Sequence, residues 1–348
     1  MKRIIILFLS SVLIYHITFS QIPTNDPHWQ LKWEDNFDTF NTNKWIKADS
    51  SSNENRPQLY LANQVWTSGG NLVIEWNNSP ITCPTPVPTA VVCEKCIAGK
   101  TYKYRSGYVQ TKPAYNTQFG YIEARIKFPY KKGKEWGFWP AFWVWRGGDL
   151  LTWSNAAEID ICEIFARNRP PDHFQMGVGR AYDPNRDWDG PFTYQSSNFS
   201  YKEWHTYAIE WNPARLIWYL DGKAIASVSN HRIVDPIRII LNLAVLKNSW
   251  PDSQYQPPTT GSWSDKMEVD WVKVYSLKCD DKNIPLTINS LADLANYNNK
   301  VKKSITINSI TIPSGNDITL RANDFIELKP GFEVQTGREL YLDVSPCP

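Results

Sequence analysis

From about Trp29 to Leu277 the chain is built of short runs whose apolar residues recur at every second position. Turn residues break these runs, and no long stretch holds a helical period. Gly120-Tyr-Ile-Glu-Ala-Arg-Ile-Lys-Phe128 alternates cleanly and stops at Pro129. Thr206-Tyr-Ala-Ile-Glu-Trp211 ends at Asn212-Pro213, Leu216-Ile-Trp-Tyr-Leu220 turns at Asp221-Gly222, and Met267 to Tyr275 alternates again. Asp-Gly between two such runs is a strong hairpin signal. Each strand then has one face for water and one for a core. Many strands of this kind over about 250 residues imply an all-β fold, a two-sheet antiparallel sandwich.

The pattern changes after Cys279. Trp is absent beyond Trp271, and Ile, Thr, Asn and Ser take over. Ser304 to Ile312, Asp317 to Arg321, Phe325 to Leu328 and Leu340 to Val344 read as strands spaced by Pro-Ser-Gly, Pro-Gly and Thr-Gly turns. That regularity predicts a small C-terminal β-roll or solenoid-like module. Three segments follow: residues 1–20 as a signal peptide, 21–278 as the main domain and 279–348 as an appendage. In the first, Lys2 and Arg3 precede the apolar stretch Ile4 to Tyr15, and Thr18 and Ser20 are the small residues before a cut at Gln21. The apolar run falls short of the roughly 20 residues a membrane span needs. The product is therefore expected outside the cell or on its surface, without a membrane span, and as a monomer. Lys and Arg number 37 against 35 Asp and Glu, which leaves no basic field for nucleic acid.

Export permits disulfides. Cys93-Glu-Lys-Cys96 has half the spacing of a zinc site but no second half, so a disulfide within the Cys83 to Cys96 loop is the better reading. Cys162 lies in an apolar run and reads as a buried thiol. Cys279 and Cys347 bracket the appendage and are placed to close it, a pairing that the sequence leaves open.

The sharpest chemical signal is Ala157-Glu-Ile-Asp-Ile-Cys-Glu-Ile-Phe165. On a strand, Glu158 and Asp160 point one way and Ile159 and Ile161 the other. Glu163 is an odd step from Glu158 and would face the core, where an unpaired carboxylate is costly. One extra residue after Asp160, a β-bulge, restores the alternation and brings all three acids to one face. The Glu158 and Glu163 α-carbons would then lie roughly 13 Å apart. Side chains leaning inward could narrow this to the ~5 Å between carboxyls that retaining glycoside hydrolysis uses. Three acids on one face cannot all ionise cheaply, so at least one must titrate high, and such a split suits acid–base work. A solvated acidic edge is the plainer reading of ExDxxE. A calcium site fits poorly, because calcium loops put Gly turns and carbonyl ligands where this run has Ile-Asp-Ile.

Trp136-Gly-Phe-Trp-Pro-Ala-Phe-Trp-Val-Trp145 precedes the acids. On a strand Trp139, Trp143 and Trp145 share one face, and Phe138, Phe142 and Val144 share the core face. Indoles beside a carboxylate cluster suit stacking on pyranose rings. Trp153 lies on the approach to the acid strand.

These runs, with Trp33-Glu-Asp-Asn-Phe-Asp38, Ser106-Gly-Tyr-Val-Gln-Thr111, Trp204-His-Thr-Tyr-Ala-Ile-Glu-Trp211, Ile240-Leu-Asn-Leu-Ala244 and Val269-Asp-Trp-Val-Lys-Val-Tyr275, resemble glycoside hydrolase family 16 in order and spacing. The resemblance covers Trp33 to Tyr275. It implies a concanavalin-like jelly roll with a sugar cleft on its concave face, and endo-hydrolysis with retention. By position, Glu158 is similar to the nucleophile, Asp160 to the assisting carboxylate and Glu163 to the acid/base. Trp139, Trp143 and Trp153 resemble sugar-stacking residues. No cofactor is required, but a structural calcium on the convex side is a family feature, with Asp270 as the position to watch.

Departures from the family pattern are Ala157 in place of Gly, the insertion between Trp76 and Tyr102, and the loop from Arg146 to Trp153. They bear on the substrate more than on the chemistry. A β-1,3- or mixed-linkage β-1,3-1,4-glucan is the first expectation, and a marine galactan (agar, porphyran or carrageenan) the second. A sulfated chain would call on Arg105, Arg146, Arg167 or Arg169. A non-catalytic lectin on the same sandwich is the rival from another class, although such proteins usually lose an acid. The appendage resembles C-terminal segments of secreted Bacteroidetes-type enzymes, which implies attachment or sorting.

Overall fold

The alternating runs pair into two stacked sheets, so that each strand's dry face meets the dry face of the other layer. The structure is a computed structural model. It describes residues 26–52, 56–87, 94–130, 137–146, 157–165, 171–180, 188–230, 233–245, 259–315, 318–337, 340–344 and 346–347. The expected signal peptide, together with Trp153, Arg167, Arg169 and Cys93, lies outside the described residues.

One sheet has seven antiparallel strands, in the order Trp188–Gln195, His173–Arg180, Ala157–Glu163, Phe138–Arg146, Arg238–Val245, Tyr108–Thr111 and Trp45–Lys47. The other has twelve. Its centre runs Arg215–Leu220, His205–Trp211, Gly120–Lys127, Ser264–Leu277 and Asn71–Asn77. Between the sheets, Phe142, Val144, Ile159 and Leu241 from the first layer meet Ile122, Ala124, Trp218 and Val272 from the second, all fully buried. Each of the Val, Leu, Ile and Phe side chains among them contributes about 1.5–3 kcal/mol when withdrawn from water. The Asp221-Gly222 hairpin forms as expected. Both residues hold positive φ, 48° and 75°, which joins Arg215–Leu220 to Lys223–Ser229 in the turn that matches strand twist.

The appendage forms a parallel coil of its own. Leu286–Ile288, Lys302–Ile307, Ile318–Leu328 and Leu340–Val344 stack side by side in parallel, and Thr311–Ile312 pairs in parallel with Glu333–Val334. Two predicted strands merge into the single strand Ile318–Leu328, while the predicted run Ser304 to Ile312 is split by a turn. Ile288, Ile305, Ile307, Leu320 and Ile326 form a separate core.

This coil packs on the outer face of the twelve-stranded sheet. Ile122 and Ala124 face the sandwich core, so their neighbours Tyr121 and Glu123 face outward. There Tyr121, Ile217, Tyr219 and Tyr275 join Trp29 in a second apolar cluster. Arg321 of the coil is fully buried at this junction. Its guanidinium pairs with Asp26 at 2.8 Å and with Asp343, and Glu210 of the sheet lies 4.0 Å away. Arg215 of the sheet pairs in turn with Asp343 at 2.5 Å. His28 bridges Asp26 and Tyr297, at 2.6 Å to each.

Two disulfides form, Cys83–Cys96 and Cys279–Cys347, and Cys162 is a buried unpaired thiol. The first matches the loop disulfide expected over zinc. The second closes the appendage, which settles the pairing that the sequence left open.

Candidate active site

The acid strand Ala157–Glu163 lies third from one end of the seven-stranded sheet, between Phe138–Arg146 and His173–Arg180. Its pairing contains the expected bulge. Trp145 faces Glu158 and Trp143 faces Asp160, but the next partner along, Phe142, faces Cys162. Ile161 is therefore the extra residue, and Ala141 then faces Glu163. The ladder with His173–Arg180 shifts at the same place, where Asp160 lies opposite Gly177 and Glu163 opposite Gln175. All three acids emerge on the face that also carries Trp139, Trp143 and Trp145, while Ile159, Ile161 and Cys162 stay in the core.

A bulge leaves backbone groups without ladder partners. Here Trp218 reaches across from the twelve-stranded sheet, and its indole Nε1 donates to the Asp160 carbonyl at 2.8 Å. Trp218 itself is fully buried. The kink that aims the acids is thus held from behind.

Asp160 is only 3% exposed and hydrogen-bonds to both Glu158 and Glu163. Burial, followed by repulsion from the two glutamates, pushes its carboxyl well above the usual carboxylate range. Burial and repulsion from Glu163 raise Glu158, against the opposing pull of Asp160 and Arg56. Burial also raises Glu163, while hydrogen bonds from Trp139 and Asp160 and the charge of Arg56 work the other way. Burial thus pushes all three carboxyls upward together, an arrangement suited to holding and passing on protons in acid–base chemistry.

The aromatic wall is built as the alternation predicts. Trp139 and Trp143 are half-buried on the acids' face, while Phe138 and Phe142 are buried in the core. Trp139 donates through Nε1 to Glu163 Oε1 at 2.7 Å and stacks on Phe165 with ring centroids 5.1 Å apart. Trp143 donates to Asn242 Oδ1 at 2.7 Å, and Asn242 donates to the Tyr60 hydroxyl at 3.3 Å. Gln58 also donates to Tyr60, at 3.1 Å.

Asn242, Tyr60, Gln58 and Arg56 were not singled out by the sequence. Asn242 could have been, as a polar residue inside the apolar run Ile237 to Val245. The others come from a segment with no pattern that ties it to the acids. Of the arginines considered for a sulfated chain, Arg146 pairs with Asp235 at 2.5 Å, and Arg105 donates to the Pro80 carbonyl from the other sheet. Asp270 lies on Ser264–Leu277, and its carboxylate pairs with Arg125 at 2.5 Å. Among the described residues, no group of three His, Cys, Asp or Glu that could hold a metal ion gathers around Asp270.

The family pattern of glycosyl hydrolases family 16 matches residues 62–273, which hold all three acids and the tryptophan wall. This chain belongs to glycosyl hydrolases family 16. It is 25% identical over 279 residues to glucan endo-1,3-beta-glucosidase A1 of Niallia circulans, which covers 70% of this chain and 37% of that protein. It is 25% identical over 295 residues to the beta-glucanase of Rhodothermus marinus, which covers 77% of this chain and 93% of the other. The crystal structure of the endo-beta-1,3-glucanase from Pyrococcus furiosus superposes with a TM-score of 0.57 at 27% identity, covering 72% of this chain and 95% of that one. The chain thus spans about a third of the length of the first relative and nearly all of the second. The jelly-roll sandwich expected from the sequence is the fold observed.

Proposed function

We propose that this chain is a secreted, retaining endo-glycanase acting on a β-1,3- or mixed-linkage β-glucan. The observation that carries this reading is the position of Asp160, buried between Glu158 and Glu163 and bonded to both. In the first step Glu163 gives its proton to the departing glycosidic oxygen while Glu158 attacks the anomeric carbon, forming a glycosyl ester. In the second, Glu163 takes a proton from water, which attacks the same carbon and releases Glu158. Asp160 steadies Glu158 in both charge states. It holds a shared proton against the carboxylate before attack and relaxes toward Glu163 once the ester has removed that charge. The half-buried indoles of Trp139 and Trp143 line the approach with flat apolar surface. The relatives' printed activities, on glucans, support the substrate class. The basic and apolar N-terminal run supports export, and the two disulfides agree with an oxidising compartment.

The test is a reducing-end assay on laminarin, lichenan, agarose, porphyran and carrageenan, with the anomer of the new end followed by NMR. The expectation is release of mid-sized oligosaccharides from laminarin or lichenan, with the β-anomer appearing first. Glu158→Gln and Glu163→Gln should each lower kcat by about 10³-fold or more. Binding of glucan with no new reducing ends, equal in wild type and Glu158→Gln, would make the protein a lectin.

A further inference from the structure

Trp139 is held on two sides. Its indole N–H is spent on Glu163 at 2.7 Å, and the Arg56 guanidinium sits 4.2 Å from the centre of its ring. Arg56 is 7% exposed and enters the site just ahead of the strand Gln58–Tyr60. Burying a guanidinium is costly unless nearby charge or aromatic surface compensates it. This site offers both, the Trp139 ring and a cluster of three carboxyls. We infer that Arg56 is a positioning residue of the cleft: packed on Trp139, it holds the indole that bonds Glu163 and sets a positive charge against both glutamates. The inference rests on the hydrolase reading above.

The charge has few competitors. On the same face of the sheet, Asp160 adds negative charge between the glutamates. Tyr60 and Tyr108 offer hydroxyls there, and Arg238 stands opposite Trp145, in line with Glu158 but two strands away. His173, on the neighbouring strand, is engaged by Asp172 at 3.2 Å. Behind the acids, the Cys162 thiol is kept neutral by burial and by Glu163. Among the described residues, Arg56 is the cation that acts on Glu158 and on Glu163 alike. Its guanidinium favours the ionised form of both, and so opposes the burial that favours their protonated forms. Without it, Glu158 would need a higher pH to become a nucleophile, and Glu163 would keep its proton to a higher pH.

The experiment is the pH profile of kcat/KM on the best glucan from the screen, for wild type, Arg56→Gln, Arg56→Met and Arg56→Lys, with Tm measured on each. Both limbs should move upward by about one pH unit in the Gln and Met variants, which costs about tenfold in activity on the acid side. Arg56→Lys should bring the limbs back while lowering kcat, because a lysine keeps the charge and loses the planar stacking surface. A raised KM with limbs at wild-type pH in all three variants overturns the inference, since Arg56 would then only bind substrate. If Arg56→Met fails to fold, Arg56→Gln and Arg56→Lys decide the same question. No hydrolysis by wild type on any polysaccharide counts against the hydrolase reading, and unmoved limbs in an active enzyme count against Arg56.

Discussion

Asp160 carries a cost that catalysis explains. A carboxyl buried between two others is stable only when protonated, so the fold is strained wherever solvent pH would strip that proton. Its raised folded-state pKa means that it contributes most to stability below the unfolded value of about 4, and loses that contribution as pH rises through the folded value. Asp160→Asn should therefore raise Tm relative to wild type at pH 8, with little change at pH 4, while kcat falls by about 10²-fold. Scanning calorimetry at both pH values checks the first part, and a Tm gain equal at pH 4 and pH 8 would contradict it. The acids were legible in the sequence because one extra residue after Asp160 puts all three on one face beside a run of tryptophans, which a solvated acidic edge does not call for. Arg56 was not, because its partners lie more than eighty residues away on another strand, and only folding makes it their neighbour.

At the level of the element, the odd spacing from Glu158 to Glu163 already called for a kink, and Ile161 supplies it. What holds the kink could not be read. Trp218 lies in a strand that alternation assigns to the core, and nothing local marks its N–H as reserved for the Asp160 carbonyl. Trp218→Phe keeps most of the apolar packing and leaves that carbonyl unpaired in the interior. It should cost about 1–3 kcal/mol in chemical denaturation, together with a drop in kcat that KM does not share. Loss of stability with unchanged kcat would mean that the bulge holds its own shape. The strands themselves were legible where alternation was strict, as in Gly120–Lys127. They were least legible in the appendage, where parallel stacking tolerates apolar residues on both faces and so blurs where one strand ends and the next begins.

Across the whole molecule, the change in composition at Cys279 located the appendage, yet it gave no hint that the appendage is fastened to the sandwich through buried charge. Arg321 takes Asp26 from the start of the domain, Glu210 from its sheet and Asp343 from the coil, so its counter-ions come from three distant parts of the chain. Breaking such a set leaves carboxylates buried without their cation. Arg321→Met should cost roughly 3–5 kcal/mol and split a single calorimetric transition into two, the appendage melting first. One unsplit transition at the wild-type Tm would show that the junction contributes little. The bond between Cys279 and Cys347 makes this coil a closed ring anchored just past the last sandwich strand. A protease that nicks one of its exposed turns therefore frees nothing. Both cut ends stay tied to the body, and shedding the piece takes a reductant as well as a blade.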